Sequence, residues 1–171
     1  KIVIFNNEAY LRSLKKFKKK KIKVFLSIKD ALYRNKKKSY LTVNAITGID
    51  GLEPTIQAIK HTKNFAIANK ESIICGWSFI KKELTKNNTN FIPLDSEHFS
   101  IWSLLKGEDI NNVNKIYLTA SGGPFLNKEL TELKNISPEL ALKHPNWKMG
   151  KKISIDSATM MNKIFEVIEA V

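Results

Sequence analysis

Through its first 94 residues the chain alternates short β-rich runs with stretches of helical period, and that interval constrains its fold more than any other feature. Residues 2–5 read as a buried-type strand, and residues 8–17 as a helix with Leu11, Leu14 and Phe17 on one side. A second strand spans 23–26, then a short helix around 31–33 capped by Ser27 or Asp30. Residues 39–46 are β-rich, and Thr47-Gly48-Ile49-Asp50-Gly51 turns the chain into a helix over about 52–61. Residues 65–68 form the next strand, which Asn69-Lys70-Glu71-Ser72 breaks to open a helix over 72–84. Strands and helices at this spacing predict βαβ units and a parallel sheet. In such sheets ligands gather at the carboxyl ends of the strands, where Gly48 and Asn69-Lys70-Glu71 fall. No G-x-G-x-x-G occurs, so that fingerprint supports no dinucleotide site.

The apolar run Phe91-Ile92-Pro93-Leu94 delivers Asp95-Ser96-Glu97-His98. On extended backbone Asp95 and Glu97 leave the same face. Like charges so crowded repel unless a cation or a shared proton lies between them, and hard cations such as Mg2+ or Mn2+ prefer oxygen. The competing reading is Asp95 or Ser96 as a helix N-cap with no chemistry; a second polar cluster later in the chain favours chemistry. Residues 97–106 look helical, with Ile101, Leu104 and Leu105 inward. Residues 115–120 read as a strand ending in Ser121-Gly122-Gly123-Pro124-Phe125, whose paired glycines suit either close approach to an anion or a tight turn. Residues 126–143 are short helical pieces, one starting at Ser137-Pro138-Glu139. In His144-Pro145-Asn146-Trp147-Lys148-Met149-Gly150, Trp147 and Met149 belong either to a lid or to a core gap.

Ile153-Ser154-Ile155 reads as a last short strand, after which Asp156-Ser157 caps a helix running to residue 170. Met161, Ile164, Phe165 and Ile168 supply its buried stripe. Asn162, Lys163 and Glu166 share another face. Ser157 at the helix start, with Asn162 and Lys163, suits a phosphate; a plain surface Lys–Glu pair is the alternative.

The net charge is +13, but residues 1–38 carry 14 Lys/Arg against 2 acids, while the rest is nearly balanced. The runs at 15–21 and Lys36-Lys37-Lys38 have no aromatic ladder or Gly-rich loop beside them, so solvated surface is preferred over nucleic-acid binding. Cys75 is the single cysteine, which excludes an internal disulfide and fits a reducing compartment. No apolar run reaches bilayer length.

Asn69-Lys70-Glu71-Ser72, Leu94-Asp95-Ser96-Glu97-His98, Ser121-Gly122-Gly123-Pro124-Phe125, His144 through Gly150, and Ile155 through Lys163 occur in order. In these five motifs the chain resembles the 1-deoxy-D-xylulose 5-phosphate reductoisomerases of non-mevalonate isoprenoid biosynthesis. The resemblance is looser before Val43. It implies an internal piece of such an enzyme. Residues 1–92 would be the second half of a Rossmann-like parallel-sheet NADPH domain, and residues 93–171 a truncated α+β catalytic domain. By resemblance Asp95, Glu97 and Glu166 hold Mg2+ or Mn2+. Ser121, Ser157, Asn162 and Lys163 surround the substrate phosphate; Lys70, Ser96 and His144 contact the substrate backbone. Asn69, Glu71 and Gly150 lie beside NADPH, while Trp147 and Met149 belong to a mobile flap. His98 matches a family histidine and is taken as structural or as support for the ligands. Ile164-Phe165 stand where the family has Gly-Leu. The implied partners are a small phosphosugar and, in the full-length parent, a second copy; the implied compartment is the bacterial cytoplasm, or the plastid stroma in a eukaryote. The alternatives are another metal-dependent phosphosugar enzyme, or an anion- or nucleic-acid-binding module built on the lysines of the N-terminal part.

Overall fold

The computed structural model describes residues 1–34 and 37–170, in two compact units, Lys1–Leu94 and Asp95–Val171. Lys36 of the second lysine run lies outside the described residues.

In the first unit, β1 (Ile2–Val3) pairs in parallel with β2 (Val24–Phe25) across α1 (Asn7–Phe17). Asn6 caps α1 by accepting from the Ala9 N–H at 2.9 Å. A 3-10 turn over Lys18–Lys20 follows, with Lys21 in the left-handed region at φ 54°, and none of these lysines is buried. Ser27 caps α2 (Ile28–Tyr33), its Oγ accepting from the Asp30 N–H at 3.0 Å.

The main sheet is parallel, in the order β3 (Ser39–Asn44), β4 (Thr62–Ile67), β5 (Asn90–Pro93). Its crossovers run through α3 (Leu52–Ile59) and α4 (Lys70–Asn87), so the α/β parallel-sheet fold expected from the alternation is the one formed. Ile59, Phe65, Ile67, Ile73, Ile80 and Leu84 form the core between sheet and helices. Each such side chain contributes about 1.5–3 kcal/mol of burial. α3 and α4 pack closely because Gly76 has no side chain. A Cβ there would meet Leu52 Cδ1 at 2.4 Å, and α4 departs from helical geometry at this residue.

The second unit holds α5 (Ser96–Leu105), α6 (Pro138–Ala141), α7 (Lys151–Ala158) and α8 (Met161–Ala170), with 3-10 turns between. Pro138 occupies the first turn of α6 behind Ser137, as expected. Several expectations fail in this unit. Residues 115–120 form no strand; Ile116 and Tyr117 are exposed, with no ladder partner among the described residues. Ile153-Ser154-Ile155 is helical, and Asp156 and Ser157 end α7 instead of opening a helix. The face α7 buries is Ser154 and Ala158, at i and i+4, so small residues and not the isoleucines decide its packing. Thr159 closes it, its hydroxyl donating to the Ile155 carbonyl at 2.9 Å, and Met160 at φ 62° breaks the path into α8.

On α8 half of the expected stripe is turned outward, while Met161 and Phe165 are half-buried. Ile164 and Ile168 are 48% and 51% exposed, whereas Glu166 is fully buried. On α5, Leu104 is likewise 78% exposed, and the buried residue is His98. Both reversals have one cause. The polar faces of α5 and α8 satisfy each other through charge-assisted hydrogen bonds, and buried charges require such partners.

Candidate active site

Asp95 ends the extended segment and becomes the N-cap of α5, its Oδ1 accepting from the Glu97 N–H at 3.2 Å and the His98 N–H at 3.5 Å. The extended-backbone argument for pairing Asp95 with Glu97 is therefore replaced by a helical one. Asp95 serves as both cap and cluster member, and Glu97 sits in the first turn. Glu166 reaches the same place from α8. Single carboxylate oxygens of Asp95, Glu97 and Glu166 lie within 4.8 Å of one another.

The cluster is held together by a lysine. Lys163 Nζ donates to Glu97 Oε1 and to Glu166 Oε2, each at 2.5 Å, and Asn162 Nδ2 donates to Glu166 Oε1 at 2.5 Å. Ser96 Oγ adds a bond to Glu97 Oε2 at 2.6 Å. Burial alone would raise the Glu97 carboxyl, but hydrogen bonds from Lys163 and Ser96 and the Lys163 charge outweigh burial and the nearby Asp95, so it falls below its ordinary value. Burial would lower the Lys163 ammonium, yet its bonds to Glu166 and Glu97 carry it above the ordinary lysine value. An ammonium between two carboxylates marks a place that attracts positive charge. The donors are hard oxygens, the set that suits Mg2+ or Mn2+.

A second group forms around His144. Its Nδ1 accepts from the backbone N–H of Asn146 at 3.2 Å and of Trp147 at 3.1 Å. The other ring nitrogen, Nε2, then carries the hydrogen and donates to Ser121 Oγ at 3.0 Å. Ser157 Oγ lies 3.5 Å from Ser121 Oγ. Gly122 and Gly123, at φ 84° and 62°, make this meeting geometrically accessible. A Cβ on Gly123 would stand 3.0 Å from the Ser157 carbonyl oxygen, so the glycine pair serves the turn and the approach to α7. Trp147 is 62% exposed, so it fills no core gap, while Met149 is half-buried. Gly150 is the N-cap of α7.

Two models of one family match the chain. The 1-deoxy-D-xylulose 5-phosphate reductoisomerase model covers residues 1–76, and that family's C-terminal domain model covers residues 91–171. The chain belongs to the 1-deoxy-D-xylulose 5-phosphate reductoisomerase family.

Among the reductoisomerases it is 55% identical to that of Pelagibacter ubique over 171 residues, 99% of this chain and 44% of the relative. It is 56% identical to that of Wolbachia pipientis over 131 residues, 76% of this chain and 33% of the relative. The chain thus spans less than half the length of these relatives. The Zymomonas mobilis reductoisomerase, solved in complex with NADPH, superposes with a TM-score of 0.82 at 36% identity over 98% of this chain and 43% of that one. A reductoisomerase solved with NADPH, fosmidomycin and magnesium gives 0.77 at 35% identity over 96% of this chain and 44% of that one.

Within the second unit the structure gathers Asp95, Ser96, Glu97, Asn162, Lys163 and Glu166 into one group and Ser121, His144, Trp147 and Ser157 into another. Asn162 and Lys163, expected at a phosphate, donate here to the carboxylates of Glu166 and Glu97. Asn69, Lys70 and Glu71 open α4 in the first unit. The Asn69 side chain is buried and engaged in the fold. It accepts from the Ser72 N–H at 2.9 Å and donates to the Gly48 carbonyl at 2.6 Å and to the Ile46 carbonyl. It thereby clamps the loop after β3 onto the start of α4, at the carboxyl ends of two strands. His98, taken from the sequence as structural or as support for the ligands, joins α5 to α8 through the Glu166 carbonyl. One residue of the site had no role assigned from the sequence: Glu169, which approaches His98 at 3.3 Å with a side chain 4% exposed. The signal for Glu169 was its spacing, three residues after Glu166 on the same face of α8.

Proposed function

We propose that the whole protein converts 1-deoxy-D-xylulose 5-phosphate to 2-C-methyl-D-erythritol 4-phosphate, with NADPH as reductant and Mg2+ or Mn2+ as the metal. The observation that carries this reading is the convergence of Asp95, Glu97 and Glu166 oxygens within 4.8 Å, in a chain of this family. When bound, the metal supplies Lewis-acid polarisation of the substrate's carbonyl and hydroxyl oxygens, and NADPH supplies hydride.

The chain's own residues supply placement and charge. Asp95, Glu97 and Glu166, each offering one oxygen, would fill three positions of a six-fold oxygen shell and leave the others for substrate oxygens. Ser121 and Ser157 offer hydroxyls to the phosphate. His144 orients Ser121 while its other ring nitrogen holds the backbone of the Trp147 loop, so phosphate contact and flap are tied through one side chain. Asn162 and Lys163 add donors and a positive charge once a metal occupies the carboxylates. Ser96 and Lys70 contact the substrate backbone; Asn69, Glu71 and Gly150 line the cofactor side. Trp147 and Met149 close over the substrate and exclude water. The skeleton rearranges to a branched aldehyde, which hydride from NADPH reduces. We assign the protein to a reducing bacterial cytoplasm, as the bacterial relatives and the lone Cys75 suggest, and expect it to work as a homodimer. No helix among the described residues is long and apolar enough to cross a membrane.

The test is NADPH oxidation at 340 nm by the full-length protein with substrate, with and without divalent metal. Metal-dependent oxidation is expected. Sugar-phosphate turnover without NADPH consumption would assign the site to a different metal-dependent phosphosugar enzyme.

A further inference from the structure

We infer that His98 is a positioning residue that sets the spacing between the two halves of the metal site, an inference that rests on the metal reading above. Asp95 and Glu97 belong to the start of α5 and Glu166 to α8, so the three carboxylates converge only if the two helices hold their relative position. One imidazole spans them. His98 Nδ1 lies 3.0 Å from Asp95 Oδ1, and Nε2 donates to the backbone carbonyl of Glu166 at 2.8 Å. The ring thus touches one metal carboxylate by its side chain and another through its main chain. His98 is 8% exposed, so water competes little for either bond. An imidazole is rigid and its nitrogens are a fixed distance apart, so sliding α8 along α5 breaks at least one of the two bonds. Glu169, one turn beyond Glu166 and 3.3 Å from Nδ1, restrains the ring from the same helix.

Lys163 also spans Glu97 and Glu166, but both of its contacts are carboxylate oxygens of proposed ligands, for which a cation would compete. His98 holds Glu166 by the main chain, away from its carboxylate. Partners of this kind around metal ligands typically change affinity by about 10–100-fold when removed.

The bridge can be cut at either end. Asparagine carries its amide nitrogen near the place of Nδ1, and glutamine near that of Nε2. His98→Asn therefore keeps the Asp95 contact and gives up Glu166, while His98→Gln does the reverse. Mn2+ binding to the metal-free full-length protein would be followed by the EPR signal of free Mn2+, for the parent, Asp95→Asn and both His98 variants, with far-UV circular dichroism confirming the fold. The expected result is loss of binding in Asp95→Asn and a roughly 10–100-fold weaker Kd in each His98 variant. The bound ion should show no directly coordinated imidazole nitrogen in its electron spin-echo modulation. Parent affinity in both His98 variants, with Asp95→Asn still defective, overturns the positioning role and leaves the metal site standing. Parent affinity in Asp95→Asn overturns the metal reading, and this inference with it. A coordinated nitrogen in the parent makes His98 a ligand and also overturns the role.

Discussion

At the scale of the residue, Lys163 is the most exposed to test. Its ammonium offsets two carboxylates whose side chains are 22% and 0% exposed. Removing one partner of such a buried set leaves uncompensated charge. Lys163→Met should therefore lower the stability of the metal-free protein by about 3 kcal/mol, read as a shift in the urea midpoint. The same variant should bind Mn2+ more tightly, because the ion no longer displaces an ammonium, and titration calorimetry reads that directly. Acid and base should each remove the lysine's contribution. Glu97 lies below its ordinary 4.5 in the folded protein, so its share is full above that value and is lost as pH falls through the folded pKa. Lys163 lies above its ordinary 10.5, so its share is full below that value and is lost as pH rises through the folded pKa. The stability difference between parent and Lys163→Met should be flat across neutral pH and shrink at both extremes.

At the scale of the element, the break between α7 and α8 decides what the C-terminal stretch presents. Met160 holds the left-handed conformation, which costs a non-glycine residue about 1–2 kcal/mol. Met160→Gly should relieve this and raise the thermal midpoint. In one continuous helix the same change would cost about 1 kcal/mol, so the sign of the shift distinguishes the two geometries. The elements of the first unit were legible because their signals agree. Apolar runs at 65–67 and 91–92 lie between turn residues, and Asn69 and Ser27 are strong caps. The second unit was harder for a physical reason. Ile153-Ser154-Ile155 carries a two-residue period and β-branched side chains, yet Ser154 and Ala158 pack inward one helical turn apart. Small buried residues leave little mark on a hydrophobicity pattern.

At the scale of the whole molecule, all three carboxylates proposed as ligands belong to the unit Asp95–Val171. Mn2+ at about 100 times its Kd should add about 2.7 kcal/mol to the opening of that unit. Hydrogen exchange should show slower amides around α5 and α8 on adding Mn2+. The buried core amides of Ile67, Ile73 and Ile80 should exchange at their metal-free rates. Slowing of those core amides by Mn2+ alone would show that the ion acts beyond its own unit.

The amino-acid order by itself determined the parallel α/β alternation of the first unit, because period and punctuation are local properties that survive without knowledge of neighbours. It also carried the five motifs, and so the family and the expectation that Asp95, Glu97 and Glu166 meet at one metal. Only the tertiary structure decided which way α5 and α8 face. Isolated apolar spacing places Ile164 and Ile168 inward, but three carboxylates, a lysine and a histidine can be buried only against one another. That mutual satisfaction is a property of two helices brought together, and neither helix encodes it alone.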